Sequence, residues 1–191
     1  MDFQGSQLLN HPAQTVWQAL MDPVVLQQCI AGCEKFEHLG GDDYSSTVKV
    51  TIGPVSARFT SKVSLTDRVV PKSCALHFSG QGGVAGFGKG VAKLQLTEVE
   101  GSKTQLDWTA QAQVGGKLAQ IGSRLLEGSV RKMSDDFFTR LTTYLDVPET
   151  VAGQTPTAVP PVAGASMPVP WAWLAGGAAL LLAFAWMVWS R

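Results

Sequence analysis

Period-two alternation of apolar and polar positions dominates the middle of the chain. Tyr44, Ser46, Val48, Val50 and Ile52 share one face, with Thr47, Lys49 and Thr51 on the other. Gly53-Pro54 breaks the run. Val55, Ala57, Phe59, Ser61, Val63 and Leu65 then alternate with Ser56, Arg58, Thr60, Lys62 and Ser64. Cys74, Leu76 and Phe78 continue the pattern after Pro71, and Ala92, Leu94 and Leu96 after a Gly-rich turn. Leu106, Trp108, Ala110, Ala112 and Val114 are the cleanest case. Such alternation predicts strands with one buried and one solvated face, and short turns between them predict an antiparallel meander.

Helical periodicity flanks these strands. After a strand at about residues 2–9, Pro12 to Met21 reads as a short helix with Val16, Trp17 and Leu20 inward. Asp22-Pro23 restarts a second through Val24, Leu26 and Ile30. Lys117 to Leu145 carries the long helical pattern. Leu118, Ile121, Leu125, Met133, Phe137, Leu141 and Tyr144 recur at spacings of three, four and eight, a single apolar stripe. The predicted fold is α+β: a curved antiparallel sheet of about seven strands around one long C-terminal helix. Sheet and helix cannot meet at every point, so the gap is either filled by large side chains or kept as an apolar pocket. Trp17, Phe59, Leu76, Phe78, Trp108, Leu125, Met133 and Phe137 are the expected lining.

The pattern changes after Val147. Residues 148–170 hold six of the ten prolines, and Glu149 is their one charge, so they read as a semi-extended linker. Trp171 to Trp189 is 19 residues without a charge. As a helix it would span about 28 Å, close to a bilayer's hydrocarbon thickness. Trp171 and Trp173 at one end, with Trp186 and Trp189 at the other, would form an aromatic belt at both interfaces. The expected organisation is therefore a domain at 1–147, a linker at 148–170 and a membrane anchor at 171–189. The N-terminus has neither a basic region nor a long apolar run, which places the domain on the cytoplasmic side of the cytoplasmic (inner) membrane. Arg191 points mildly the other way.

Charge and cysteine content narrow the partners. The 15 basic and 15 acidic residues balance, giving no electrostatic reason to expect nucleic acid. Three cysteines, Cys29, Cys33 and Cys74, do not make a disulfide framework. Cys29 and Cys33 would supply half a tetrahedral metal site, and no Cys or His pair at standard spacing completes it. His11 is a weak candidate for bonding a ligand; capping or a surface role is commoner. Asp135-Asp136 sits beside Arg131, Lys132 and Arg140 and reads as a solvated helical face. No Ser-His-Asp order, HExxH or GxSxG occurs, so no catalytic residue and no metal ligand is assigned. The glycines of 80–90 resemble a dinucleotide loop only superficially, because a strand follows where a helix N-terminus is required. They read instead as a flexible hairpin at the mouth of the grip, with Val84 and Phe87 as gate or partner contacts.

Three segments together resemble the CoxG family of carbon monoxide dehydrogenase. They are Asp22-Pro-Val-Val-Leu-Gln-Gln-Cys-Ile-Ala-Gly-Cys-Glu34, the Gly-rich turn Gly80–Gly90, and Val114–Leu126 followed by Asp-Asp-Phe-Phe at 135–138. The resemblance covers roughly residues 1–146. Ala31 stands where the family's Cys-Ile-Pro-Gly-Cys-Glu motif has proline, which costs turn rigidity. The resemblance implies a helix-grip fold of the START-like (SRPBCC) superfamily, whose members typically bind lipids, polyketides or other apolar molecules. It further implies a non-enzymatic accessory protein for a molybdenum hydroxylase of the carbon monoxide dehydrogenase type, bringing that enzyme to the membrane. A quinone or other lipid-like molecule is the expected non-covalent ligand. The alternatives are a lipid or small-molecule carrier unrelated to any hydroxylase, and an enzyme of the cyclase or dehydratase kind.

Overall fold

The structure is a computed structural model that describes residues 1–147. The linker at 148–170 and the anchor at 171–189 lie outside the described residues. Among those described, no helix is long and apolar enough to cross a membrane.

Each alternating run is a strand. In order they are β1 (Asp2–Leu9), β2 (Cys33–Gly40), β3 (Asp43–Ile52), β4 (Val55–Val69), β5 (Ser73–Gln81), β6 (Phe87–Val99) and β7 (Lys103–Gly115). They form one open antiparallel sheet in the order β1-β7-β6-β5-β4-β3-β2. Register is set by the apolar alternation, because a slip of one residue would turn the apolar set toward water. Thus Leu106 pairs with Leu96, Trp108 with Leu94, Leu76 with Leu65 and Phe78 with Val63.

Two short helices, α1 (Ala13–Met21) and α2 (Pro23–Cys29), connect β1 to β2. Asp22 separates them and caps the second: its carboxylate accepts from the Val24 backbone N–H at 2.8 Å, with Pro23 in the first turn.

The expected continuous helix over Lys117–Leu145 is divided. α3 (Lys117–Gln120) is a single turn, and α4 (Ser123–Asp146) begins after Gly122, whose φ of +88° no helix accommodates. The restart changes the helical phase. Leu126 turns inward at 4% exposure, and Leu125, expected in the inward stripe, is 44% exposed.

α4 crosses the inner face of the sheet and packs at both of its ends. Beneath its C-terminal part, Leu141 is fully buried with Leu9, Val16, Trp17, Val25 and Leu106. Thr104 is buried in the same region, and its hydroxyl donates to the His11 carbonyl at 2.7 Å. Beneath its N-terminal part, a smaller core joins Leu126 to Ile52 and Leu118.

Candidate functional site

Between the two cores, the inner face of the sheet keeps its apolar side chains but is not sealed. Val48, Phe59, Val63, Leu76, Phe78, Leu94, Trp108 and Ala110 are only partly buried. In a close-packed interior such positions would be fully covered. The incomplete cover continues onto the helix. Trp108, Val130, Met133, Phe137 and Phe138, together with Ile30 and Ala31 from the α2–β2 connection, line a cleft of about 350 Å³ in which Ser134 supplies the one side-chain hydroxyl. Phe137 and Phe138 meet edge to face, with ring centroids 5.3 Å apart.

A second cleft, of about 400 Å³, lies between β1 and the helix. It shares Trp108, Val130, Ser134 and Phe138 with the first. Its rim is polar, with Asp2, Gln4, Glu127, Arg131 and Asp135. The space beneath α4 is therefore reached from two sides across a common apolar floor, one entrance greasy and the other charged. Its chemistry is burial: apolar surface of a guest is stabilised by about 25 cal/mol per Å² removed from water, with few polar groups to orient it.

Of the eight expected lining residues, Trp108, Met133 and Phe137 meet at the apolar cleft. Leu76, Phe59 and Phe78 are on the same inner face of the sheet, Leu76 against the larger core and Phe59 against the smaller. Two stand elsewhere. Trp17 is 3% exposed inside the larger core, where it fills space. Leu125 lies over Gly53 in the β3–β4 turn, so close that a Cβ on that glycine would be 2.7 Å from Leu125 Cδ2.

Val130, Ser134 and Phe138 were missed by sequence reasoning. They lie four residues apart on one stripe of α4, beside the Met133–Phe137 stripe, and Ser134 interrupts the apolar pattern that would have revealed it. Ile30 and Ala31 were missed because a turn carries no periodicity.

The Gly-rich hairpin is more ordered than a plain flexible turn. Gly83–Ala85 forms one turn of 3-10 helix, and Ala85 is buried. Gly82 lies against the Phe59 ring, 2.5 Å from where its Cβ would be, and Gly86, at φ +112°, meets the Gly115 carbonyl. Val84 and Phe87 point outward, 86% and 43% exposed.

The polar candidates are occupied otherwise. His11 Nε2 is 2.7 Å from Asp146 Oδ1, tying the approach to α1 to the end of α4. Lys132 pairs with Asp136 at 2.7 Å along the helix surface. All three cysteines are free, and burial pushes the thiols of Cys29, Cys33 and Cys74 up from their ordinary value. Among the described residues, no group of three or more His, Cys, Asp or Glu side chains is placed to hold a metal ion.

Comparison with known proteins agrees with this geometry. The family model for the G-type subunit of carbon monoxide dehydrogenase (CoxG) matches residues 5–146. A conserved protein from Geobacillus kaustophilus has a crystal structure that superposes with a TM-score of 0.72 at 34% identity, over 76% of this chain and 95% of that one. More distant structures share the fold. A START superfamily protein from Mycobacterium smegmatis gives a TM-score of 0.59 at 11% identity, covering 75% and 96% of the two chains. The Zhui aromatase/cyclase from Streptomyces sp. R1128 gives 0.57 at 15%, covering 76% and 93%. No curated protein matches the chain. The chain belongs to the CoxG family of carbon monoxide dehydrogenase, and its fold is START-like.

Proposed function

We propose, from membership of this family, that the protein is a non-enzymatic, membrane-anchored accessory that recruits a molybdenum hydroxylase of the carbon monoxide dehydrogenase type to the cytoplasmic membrane. In this reading the space beneath α4 holds an apolar ligand such as a quinone. The observation that carries the ligand reading is the unsealed apolar floor centred on Trp108, with Met133 and Phe137 facing it from α4. A molybdenum hydroxylase must dispose of electrons, and quinone acceptors dissolve in the bilayer. A tethered domain with a greasy hollow could both hold the enzyme at the surface and carry the acceptor to it. Tethering makes even a weak contact with the enzyme effectively intramolecular. The anchor would be Trp171–Trp189, with its aromatic residues at the two interfaces.

The rival enzyme reading needs polar groups converging on a bound substrate. Ser134 is the one side-chain hydroxyl in the apolar cleft, with no titratable neighbour among its lining residues. The carrier reading differs in partner rather than in pocket.

Mass spectrometry of organic extracts from the purified full-length protein tests the ligand. Recovery of quinone near one per chain, reduced in Trp108→Ala, is the expected result. An empty hollow in a protein that still binds the hydroxylase would leave recruitment alone. Release of the intact chain by carbonate washing would end the anchoring half of the proposal.

A further inference from the structure

We propose that the end of the sheet bearing the β3–β4 turn, the β5–β6 hairpin and the β7–α4 junction is a docking tip for an anionic lipid surface. It deepens the membrane reading above and takes its setting from it, while its own argument stands on the three turns.

Three segments distant in sequence meet there. Leu125 packs onto Gly53, Gly82 rests on Phe59, and the Cβ position of Gly116 is 2.5 Å from Gly86 Cα. The small core of Ile52, Leu118 and Leu126 binds them together. These approaches fix the turns, so the side chains at their apices are held in position.

Those side chains are apolar and point outward: Val84 at 86% exposure, Phe87 at 43% and Leu125 at 44%. They project singly, without the contiguous packed area that a stable protein interface needs. Isolated apolar apices suit a headgroup layer, which accepts each one into its own space.

The charges are one-sided. Segments 51–58, 80–89 and 113–125 contain Arg58, Lys89, Lys117 and Arg124 and neither Asp nor Glu, in a chain whose total charge balances. Arg58 pairs with Glu34 at 2.7 Å. Lys89, Lys117 and Arg124 pair with no carboxylate among the described residues. The bordering acids are Glu127, one position beyond Leu126 on α4, and Asp2, next to the N-terminal ammonium that donates to the Ala112 carbonyl at 2.9 Å. Unpaired cations around greasy apices complement anionic lipid, whose surface potential attracts such residues. Docked this way, the hairpin that covers Phe59 would lie in the headgroup layer, bringing that end of the hollow to the lipid.

The test uses the full chain with a polarity-sensitive fluorophore on Val84→Cys in a Cys33→Ser background, reconstituted with phosphatidylcholine vesicles with or without phosphatidylglycerol. The expected result is a blue shift and quenching by nitroxide-bearing lipids in the anionic vesicles alone. Raised salt should abolish both, and Lys117→Glu with Arg124→Glu should weaken the response by about fivefold for each cation removed. A label that stays in water on both vesicle types overturns the proposal, as does one shielded only when a soluble protein partner is added. Ligand content measured on the same samples separates the two ideas. A loaded hollow with an aqueous label removes the docking tip alone, whereas an empty hollow with a lipid-buried label removes the ligand reading alone.

Discussion

The Trp108 indole lies across Gly5, its cross-strand partner on β1, so closely that a Cβ at Gly5 would sit 2.6 Å from both Nε1 and Cε2 of the ring. The glycine leaves the indole room to lie along the inner face, where it forms the floor shared by both clefts. A side chain at position 5 must displace it. Gly5→Val is expected to cost about 1–3 kcal/mol of stability through overpacking. It should also lower apolar-ligand occupancy, read by thermal unfolding together with extraction of bound ligand.

The two halves of α4 should respond differently to truncation. Leu141 is completely buried, so Leu141→Ala leaves a cavity and is expected to cost about 2–5 kcal/mol. Met133 is 37% exposed at the cleft, and Met133→Ala removes less packing, for a cost below about 1.5 kcal/mol. Denaturant unfolding of the two variants checks this. Equal losses would mean that the middle of the molecule is as solid as its end.

Gly86 has φ +112° and its Cβ position collides with the Gly115 carbonyl. Both the backbone conformation and the close approach exclude a side chain. Gly86→Ala is expected to cost about 1–3 kcal/mol and to loosen the Val84 hairpin. Faster amide exchange over 82–88, with little change over β1, is the expected pattern.

Burial raises the thiol pKa of Cys29 and Cys74, with Arg140 and Arg68 respectively opposing it. A raised value means less thiolate at any given pH, and the thiolate is the species that reacts. Alkylation of the folded protein at mildly alkaline pH should therefore modify Cys33, which is part exposed, before the two buried thiols. Those should become reactive on unfolding. Peptide mapping of labelled sites gives the order.

The Arg58 guanidinium, hydrogen-bonded to Glu34, holds that carboxyl below its ordinary value. A lowered folded-state value means that the pair's contribution is present above the unfolded pKa and lost as pH falls through the folded one. Both side chains are exposed, so the contribution to stability is small. An NMR titration should place Glu34 below the other exposed glutamates, and Arg58→Ala should return it to the common range.

Much of this architecture was legible in the chain. Every strand inferred from alternation is present, because one face must be dry and the other wet, and that requirement writes period two directly into the residues. The α1–α2 boundary was legible for a local reason as well: Asp22-Pro23 caps and starts a helix within four residues. The helix break at Gly122 was not. The apolar spacing of Leu118, Ile121 and Leu125 is compatible with an unbroken helix, and only the packing of Leu126 and Leu118 beneath the β3–β4 turn determines the phase. For the same reason Leu125 was assigned inward and Leu126 overlooked.

The hollow follows the same division. Alternation marked Trp108, Phe59 and Phe78 as facing inward, yet facing inward does not distinguish a filled core from a lined space. Trp17, equally apolar and equally periodic, is sealed. Sequence by itself determined which side of each element avoids water, because that depends on the residue and its neighbours along the chain. Tertiary structure alone decided where apolar faces meet and where they stay apart. That outcome depends on the distance between α4 and the sheet, set by the large core at one end and the small one at the other, and no local pattern records a distance between elements.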